Sequence, residues 1–120
     1  IYHTNVMMSI GSGFCAICLE SIDDGEERQA VSDELTSDGR EIIALSESQI
    51  ERFAGNMLEL QGSNGPVIAM SSSAFHALDA EQIERLKKHG QIIHSDLETI
   101  ETCGGGSARC MIAEIHLPRA

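Results

Sequence analysis

Apolar and polar positions change period several times along this chain, and each change predicts an element. Residues 2–10 alternate, with His3, Asn5, Met7 and Ser9 on one side and Thr4, Val6, Met8 and Ile10 on the other, the period of two expected of a strand. Ile1 already reads as strand interior. Gly11-Ser12-Gly13 turns the chain, and the nearly all-apolar "FCAICLESI" predicts a second strand, so the pair reads as a hairpin. Acidic "DDGEE" opens a polar helix running to about Leu35, because carboxylates are favoured where a helix presents unpaired N–H groups. "REIIAL" predicts a strand, "SESQIERFAGN" a helix capped by Ser46 or Ser48 and stopped at Gly55, and "NMLELQG" a further strand. After the "SNGP" turn come a strand, "VIAMSS", and a helical stretch, "SAFHALDAEQIERLKKHG". Within that stretch Asp79 can cap a run that buries Ile83 and Leu86 and ends at Gly90. "QIIHSDL" and "CMIAEIHL" read as the last strands.

Strand and helix alternate from Arg40 onward, and "QIER" recurs in "SESQIERFAG" and "DAEQIERLKKHG", each followed by a strand. An echo at roughly 30–40 residues predicts an α/β repeat architecture. No low-complexity stretch interrupts it, so one domain is expected.

Composition narrows the function classes. With 120 residues and 42% hydrophobic content, the chain can build one core. Eight basic residues against nineteen acidic ones leave a formal charge of -11, which lacks the basic footprint that nucleic acid requires and disfavours an anionic membrane surface. The same charge suits a cationic small molecule. No apolar run approaches the roughly 20 residues that cross a bilayer, and "IYHTNVMMSI" lacks a basic n-region and cleavage site. A cytoplasmic protein with four free thiols is therefore expected. Because the chain opens without Met on a strand pattern already under way, it reads as a piece of a longer chain.

Candidate chemistry concentrates in "CGGGSARCM". Three consecutive glycines, Gly104, Gly105 and Gly106, exceed what a simple turn needs; they let backbone approach a ligand and expose Cys110 at the start of the predicted last strand. A flexible turn, with Cys110 as a small core hydrophobe, is the alternative. A cysteine nucleophile must be reachable, must ionise, and needs a histidine partner. His3 is the candidate, since Asn5 two residues along the predicted strand shares its side and can orient the ring or touch substrate. Arg109, adjacent on a strand, would face away from Cys110. Zinc held by Cys15, Cys18, Cys103 and Cys110 is disfavoured, because residues three apart on a strand face opposite sides. A Cys103–Cys110 disulfide is disfavoured in a reducing compartment. Gly11-Ser12-Gly13 lacks the third glycine of a nucleotide fingerprint and leads into a strand, and the Ser71-Ser72-Ser73 run reads as a helix N-cap. No metal and no cofactor are expected.

"YHTNVMMSIG", "FCAICLESI", "GPVIAMSSSAF" and above all "ETCGGGSARCMIAEIHLP" resemble the C-terminal part of the guanidino-modifying, or amidinotransferase, superfamily, which includes arginine deiminase and dimethylarginine hydrolase. The resemblance spans essentially the whole chain and most resembles bacterial arginine-deiminase-related or citrulline-utilisation hydrolases. It implies about two repeats of a five-repeat α/β propeller, the pentein fold, with mixed sheets and flanking helices. It also implies a cysteine hydrolase of a guanidino or ureido carbon, such as that of arginine, methylarginine or citrulline. Cys110 matches the nucleophile and His3 the histidine that protonates the leaving group and activates water; Asn5, Gly104–Gly106 and Ser107 would contact substrate. Asn5 stands where many members carry an aspartate, which favours a neutral ureido group over a cation. Upstream carboxylates are missing, so little turnover is expected of residues 1–120 alone. Amidino transfer to an amine is an alternative. So is an inactive structural module, since two repeats cut from a ring leave apolar faces and strand edges that drive homo-oligomer formation.

Overall fold

Gly11 closes the first hairpin: its N–H donates to the Phe14 carbonyl at 2.9 Å, and a Cβ there would lie 2.2 Å from the Phe14 ring. The computed structural model describes residues 2–119; Ile1 and Ala120 lie outside the described residues, and with Ile1 its reading as strand interior. Residues 2–10 are not one strand. Thr4–Met7 form a single helical turn, α1, and only Met8–Ile10 form strand β1. Tertiary contact overrides the alternating pattern, because Val6 and Met7 pack on the core and the Asn5 carbonyl is drawn to the Asn56 side chain.

Strand β2 (Phe14–Ile17) pairs antiparallel with β1, Ser9 lying opposite Ala16. A 3-10 turn at Leu19–Ser21 ends the apolar run earlier than its composition predicts. Helix α2 (Gly25–Thr36) starts where Asp24 accepts the N–H groups of Glu26 and Glu27, as the acidic cluster predicts. It carries the chain across to β3 (Glu41–Ala44), parallel to β2. Short helix α3 (Glu47–Ile50) follows.

The second half repeats this order. Strands β4 (Leu58–Gly62) and β5 (Gly65–Ser71) form a hairpin. Helices α4 (Ser72–Ala77) and α5 (Ala80–Lys87) cross over to β6 (Gln91–Ser95), parallel to β5. Each half is thus a ββαβ unit with its own mixed three-stranded sheet, ordered β1-β2-β3 and β4-β5-β6. Ser71 caps α4 as the serine run predicts. The predicted single helix over residues 73–90 is broken at Leu78 and Asp79, both extended, because the Asp79 carboxylate takes the Gln82 N–H at 2.8 Å and starts a new helix.

The "QIER" echo does not mark the repeat, since α3 follows the closing strand of its unit whereas α5 is a crossover. It marks a joint instead. Gln49 and Gln82 each complete a capping box at the third position of their helix. Their amides also bond reciprocally, Gln49 Nε2 to Gln82 Oε1 at 2.7 Å and Gln82 Nε2 to Gln49 Oε1 at 3.0 Å. The remaining N–H of each reaches across the joint, Gln49 to the Ala77 carbonyl and Gln82 to the Ala44 carbonyl. A local two-fold relation therefore stitches the units, and Phe14, Ile43, Met57, Ile68 and Leu86 from both fill one core.

A second brace sits at Glu41. Arg85 donates to its Oε2 at 2.9 and 3.1 Å and to the Ile42 carbonyl, while His89 Nε2 lies 2.6 Å from Oε1. The His89 hydrogen bond, aided by Arg85 and opposed by burial, holds the Glu41 carboxyl below its ordinary value of 4.5. A depressed carboxylate stabilises the fold above its unfolded-state value, and that contribution is lost as pH falls through the lower folded one. Acid titration of unfolding should therefore show stability declining below 4.5, and Glu41→Gln should flatten that limb; an unchanged limb would remove Glu41 from the account.

The last predicted strand is absent. After β6, helix α6 (Glu98–Gly104) leads to a 3-10 turn at Ala108–Met111, and residues 112–119 are irregular. Ile115 and Leu117 are 84% and 79% exposed. A strand needs a partner for its N–H and C=O groups, and this segment pairs with no edge of either sheet among the described residues. No helix among the described residues is long and apolar enough to cross a membrane.

Candidate active site around Cys110

The three glycines have different duties. Gly104 is the last residue of α6, and a Cβ there would meet nothing within 4 Å. Gly105 holds the left-handed cap at φ 69 and donates to the Glu101 carbonyl at 3.3 Å. At Gly106 a Cβ would lie 3.1 Å from Cys110 Cβ and 3.2 Å from Sγ, so the missing side chain leaves room for the thiol. Ser107 is fully buried, its hydroxyl donating to Glu101 Oε1 at 2.5 Å and its carbonyl accepting the Cys110 N–H at 3.1 Å. Ser107 and Glu101 together staple the loop.

Cys110 is exposed on the 3-10 turn, not at a strand start, and all four cysteines are free thiols. Cys15 and Cys18 are buried, and burial pushes the Cys15 thiol up despite the nearby Arg40 charge. Cys103 is exposed on α6. Arg109 donates from its guanidinium to the Met8 carbonyl at 3.2 Å. Ala108 and Met111, flanking the turn, line an apolar hollow of about 240 Å³ with Met70, Ile93 and Leu97.

His3 and Asn5 lie beside this loop, but not as strand neighbours. His3 is the extended residue before α1, and Asn5 lies within the helical turn, so they do not share one strand face. The segment is tied to the glycine loop by Tyr2, whose hydroxyl donates to the Gly105 carbonyl at 3.0 Å and whose ring meets that of His3 edge-on at 5.1 Å. His3 is exposed and makes no hydrogen bond to Cys110. Asn5 Oδ1 is buried without a hydrogen-bond partner. Other histidines have neighbours elsewhere: His89 bonds Glu41, and His94 stacks on Phe75 at 4.2 Å.

Asn56 escaped the sequence reading. It is fully buried; Nδ2 donates to the Asn5 carbonyl at 2.7 Å and to Cys110 Sγ at 3.3 Å, while Oδ1 accepts the Arg109 N–H at 3.1 Å. A polar residue between a helix end and an apolar strand was the available signal. Helix α3 ends at Ile50, not Gly55, and turns follow: Phe53 sits at φ 64, with Phe53 N–H to the Ile50 carbonyl and Ala54 N–H to that of Gln49. A non-glycine residue in this left-handed position is strained. Its carbonyl accepts the Asn56 N–H at 2.9 Å, so the tight turn sets the asparagine in place. No cluster of three metal-binding side chains occurs among the described residues.

Known proteins resemble the chain in sequence and fold. It superposes on a cyanobacterial arginine dihydrolase of the ornithine-ammonia cycle, ArgZ, with a TM-score of 0.67 at 17% identity over 91% of this chain. It also superposes on AgrE, solved with ornithine and NAD+, with a TM-score of 0.67 at 19% identity over 92% of this chain. It spans only 16% and 14% of those two chains, so the likeness establishes the α/β fold of its ββαβ units. No curated protein matches the chain. The sequence profile of one family matches residues 1–117, nearly the full length, and so the chain belongs to the family described as N,N dimethylarginine dimethylhydrolase, eukaryotic.

Proposed function

We propose that residues 1–120 form the nucleophile-bearing part of a hydrolase that cleaves a C–N bond in a guanidino or ureido substrate: arginine, a methylarginine or citrulline. The observation that carries this reading is the tie between the His3 segment and the Cys110 loop through Tyr2 and Asn56, residues far apart in sequence. Family membership supports the substrate class. In the proposed reaction, Cys110 Sγ as thiolate attacks the central carbon, and the tetrahedral adduct collapses by breaking the bond to the departing nitrogen. That nitrogen takes a proton from His3 and leaves as amine or ammonia. His3 then removes a proton from water, which attacks the S-linked intermediate, a thiouronium from a guanidino substrate or a thiocarbamate from a ureido one, and returns the thiolate. Asn5 Oδ1 has no protein partner and, turned outward from its buried position, is the proposed acceptor for a substrate N–H, and a neutral amide suits the ureido group of citrulline. The glycine loop lets substrate approach Sγ.

No carboxylate hydrogen-bonds to the Cys110, Asn56 or Asn5 side chains among the described residues, so we expect this chain to form a Cys110 adduct with a haloacetamide or haloacetamidine probe while turning over little substrate. Intact-mass analysis and product release check this. Cys110→Ser should abolish the principal adduct; its survival would refute the nucleophile, and robust hydrolysis by residues 1–120 alone would refute the shared site. The exposed Ile93, Ile115 and Leu117 favour self-association, which sedimentation checks.

A further inference from the structure

We infer that Asn56 is the positioning residue of the nucleophile, fixing Cys110 to the His3 segment and presenting an N–H to Sγ. The inference rests on the reading of Cys110 as the reacting thiol. Each polar function of the buried Asn56 amide has a partner, and those partners settle its orientation. The Asn5 carbonyl can only accept and the Arg109 backbone N–H can only donate. Turning the amide over would set acceptor against acceptor at Asn5 and donor against donor at Arg109, with the groups cut off from water. The nitrogen therefore lies toward Asn5, and its second N–H meets Sγ at 3.3 Å.

Two consequences follow for the sulfur. A thiolate accepts a hydrogen bond more strongly than a thiol, so a fixed N–H favours the reactive form. The same bond limits where Sγ can point, and it is the only side-chain donor to that sulfur among the described residues. Asn56 is held in turn by the Phe53 turn and by Gly55, whose absent Cβ lets the α1 segment approach.

Alkylation by iodoacetamide, mapped by peptide, tests this in the whole chain with Asn56→Asp and Asn56→Ala. Cys103 is exposed and serves as internal reference; Cys15 and Cys18 are buried and report folding. At pH 7 the ratio of Cys110 to Cys103 rates should fall about tenfold in Asn56→Ala, the scale of one hydrogen bond to a charged group. It should fall further in Asn56→Asp, where a carboxylate faces the sulfur. By about pH 10, with exposed thiols ionised, the ratios should converge on wild type. An unchanged ratio at pH 7 in a variant that still protects Cys15 and Cys18, or a change equal at every pH, would overturn the inference. Should neither variant protect those cysteines, the wild type decides: a Cys110 excess at pH 7 that shrinks by about pH 10 supports the role, and a pH-independent ratio refutes it. Failure of the nucleophile reading would show separately, as a principal probe adduct that survives Cys110→Ser, and would leave the comparison of Cys110 rates between wild type and the Asn56 variants standing.

Discussion

Gln82→Ala should lower the unfolding free energy by about 2–4 kcal/mol, because it strands several buried groups at once. Gln82 accepts from the Asp79 N–H and from Gln49, and donates to Gln49 and to the Ala44 carbonyl. Alanine would leave the Ala44 carbonyl and both Gln49 amide functions short of a partner at a site only 9% exposed. Urea unfolding followed by circular dichroism measures the loss. Gln49→Ala should also destabilise, and the double variant should cost less than the sum, since each single change orphans the other glutamine. Additive losses below about 1 kcal/mol would mean that the apolar core, not this joint, holds the two units together.

Gly55→Ala should be at least as damaging, and should reach the candidate site. A Cβ at Gly55 would lie 2.4 Å from the Val6 carbonyl oxygen and 2.8 Å from the Met7 carbonyl carbon. Both are backbone atoms, so no side-chain rotation relieves the clash. The α1 segment must move, at an expected cost of about 3 kcal/mol, and with it go the Asn56 to Asn5 bond and the place of His3. Thermal melting and Cys110 alkylation together check this, with Gly104→Ala as the contrast. A Cβ at Gly104 meets nothing within 4 Å, so that variant should melt within a few degrees of wild type. A Gly55→Ala chain with wild-type melting and an unaltered Cys110 rate would show that α1 adapts freely.

The local marks that were legible in the sequence are those whose partners lie a few residues away. Asp24, Ser46, Ser71 and Asp79 cap helices because their side chains reach N–H groups two or three residues on. The hairpins at Gly11 and Gly65 follow from glycine between apolar runs. The family resemblance was legible because "CGGGSARCM" and "HTN" are short and specific, and the matched profile bears it out. Position along the helix or strand was less secure at the site itself, where His3 and Asn5 read as strand neighbours and lie instead at the start of a helical turn.

Sequence alone thus determined the caps, the hairpins, the crossover helix α2, the net charge and the family. Tertiary structure decided what long-range partners control. It bent residues 4–7 into a helix, left the last predicted strand without a pairing partner, and joined the capping boxes of α3 and α5. It also brought Asn56 to Cys110 across 54 positions. A side chain's own periodicity reports which way it faces, whereas the partner that satisfies a buried amide or an unpaired strand is chosen only when distant segments pack.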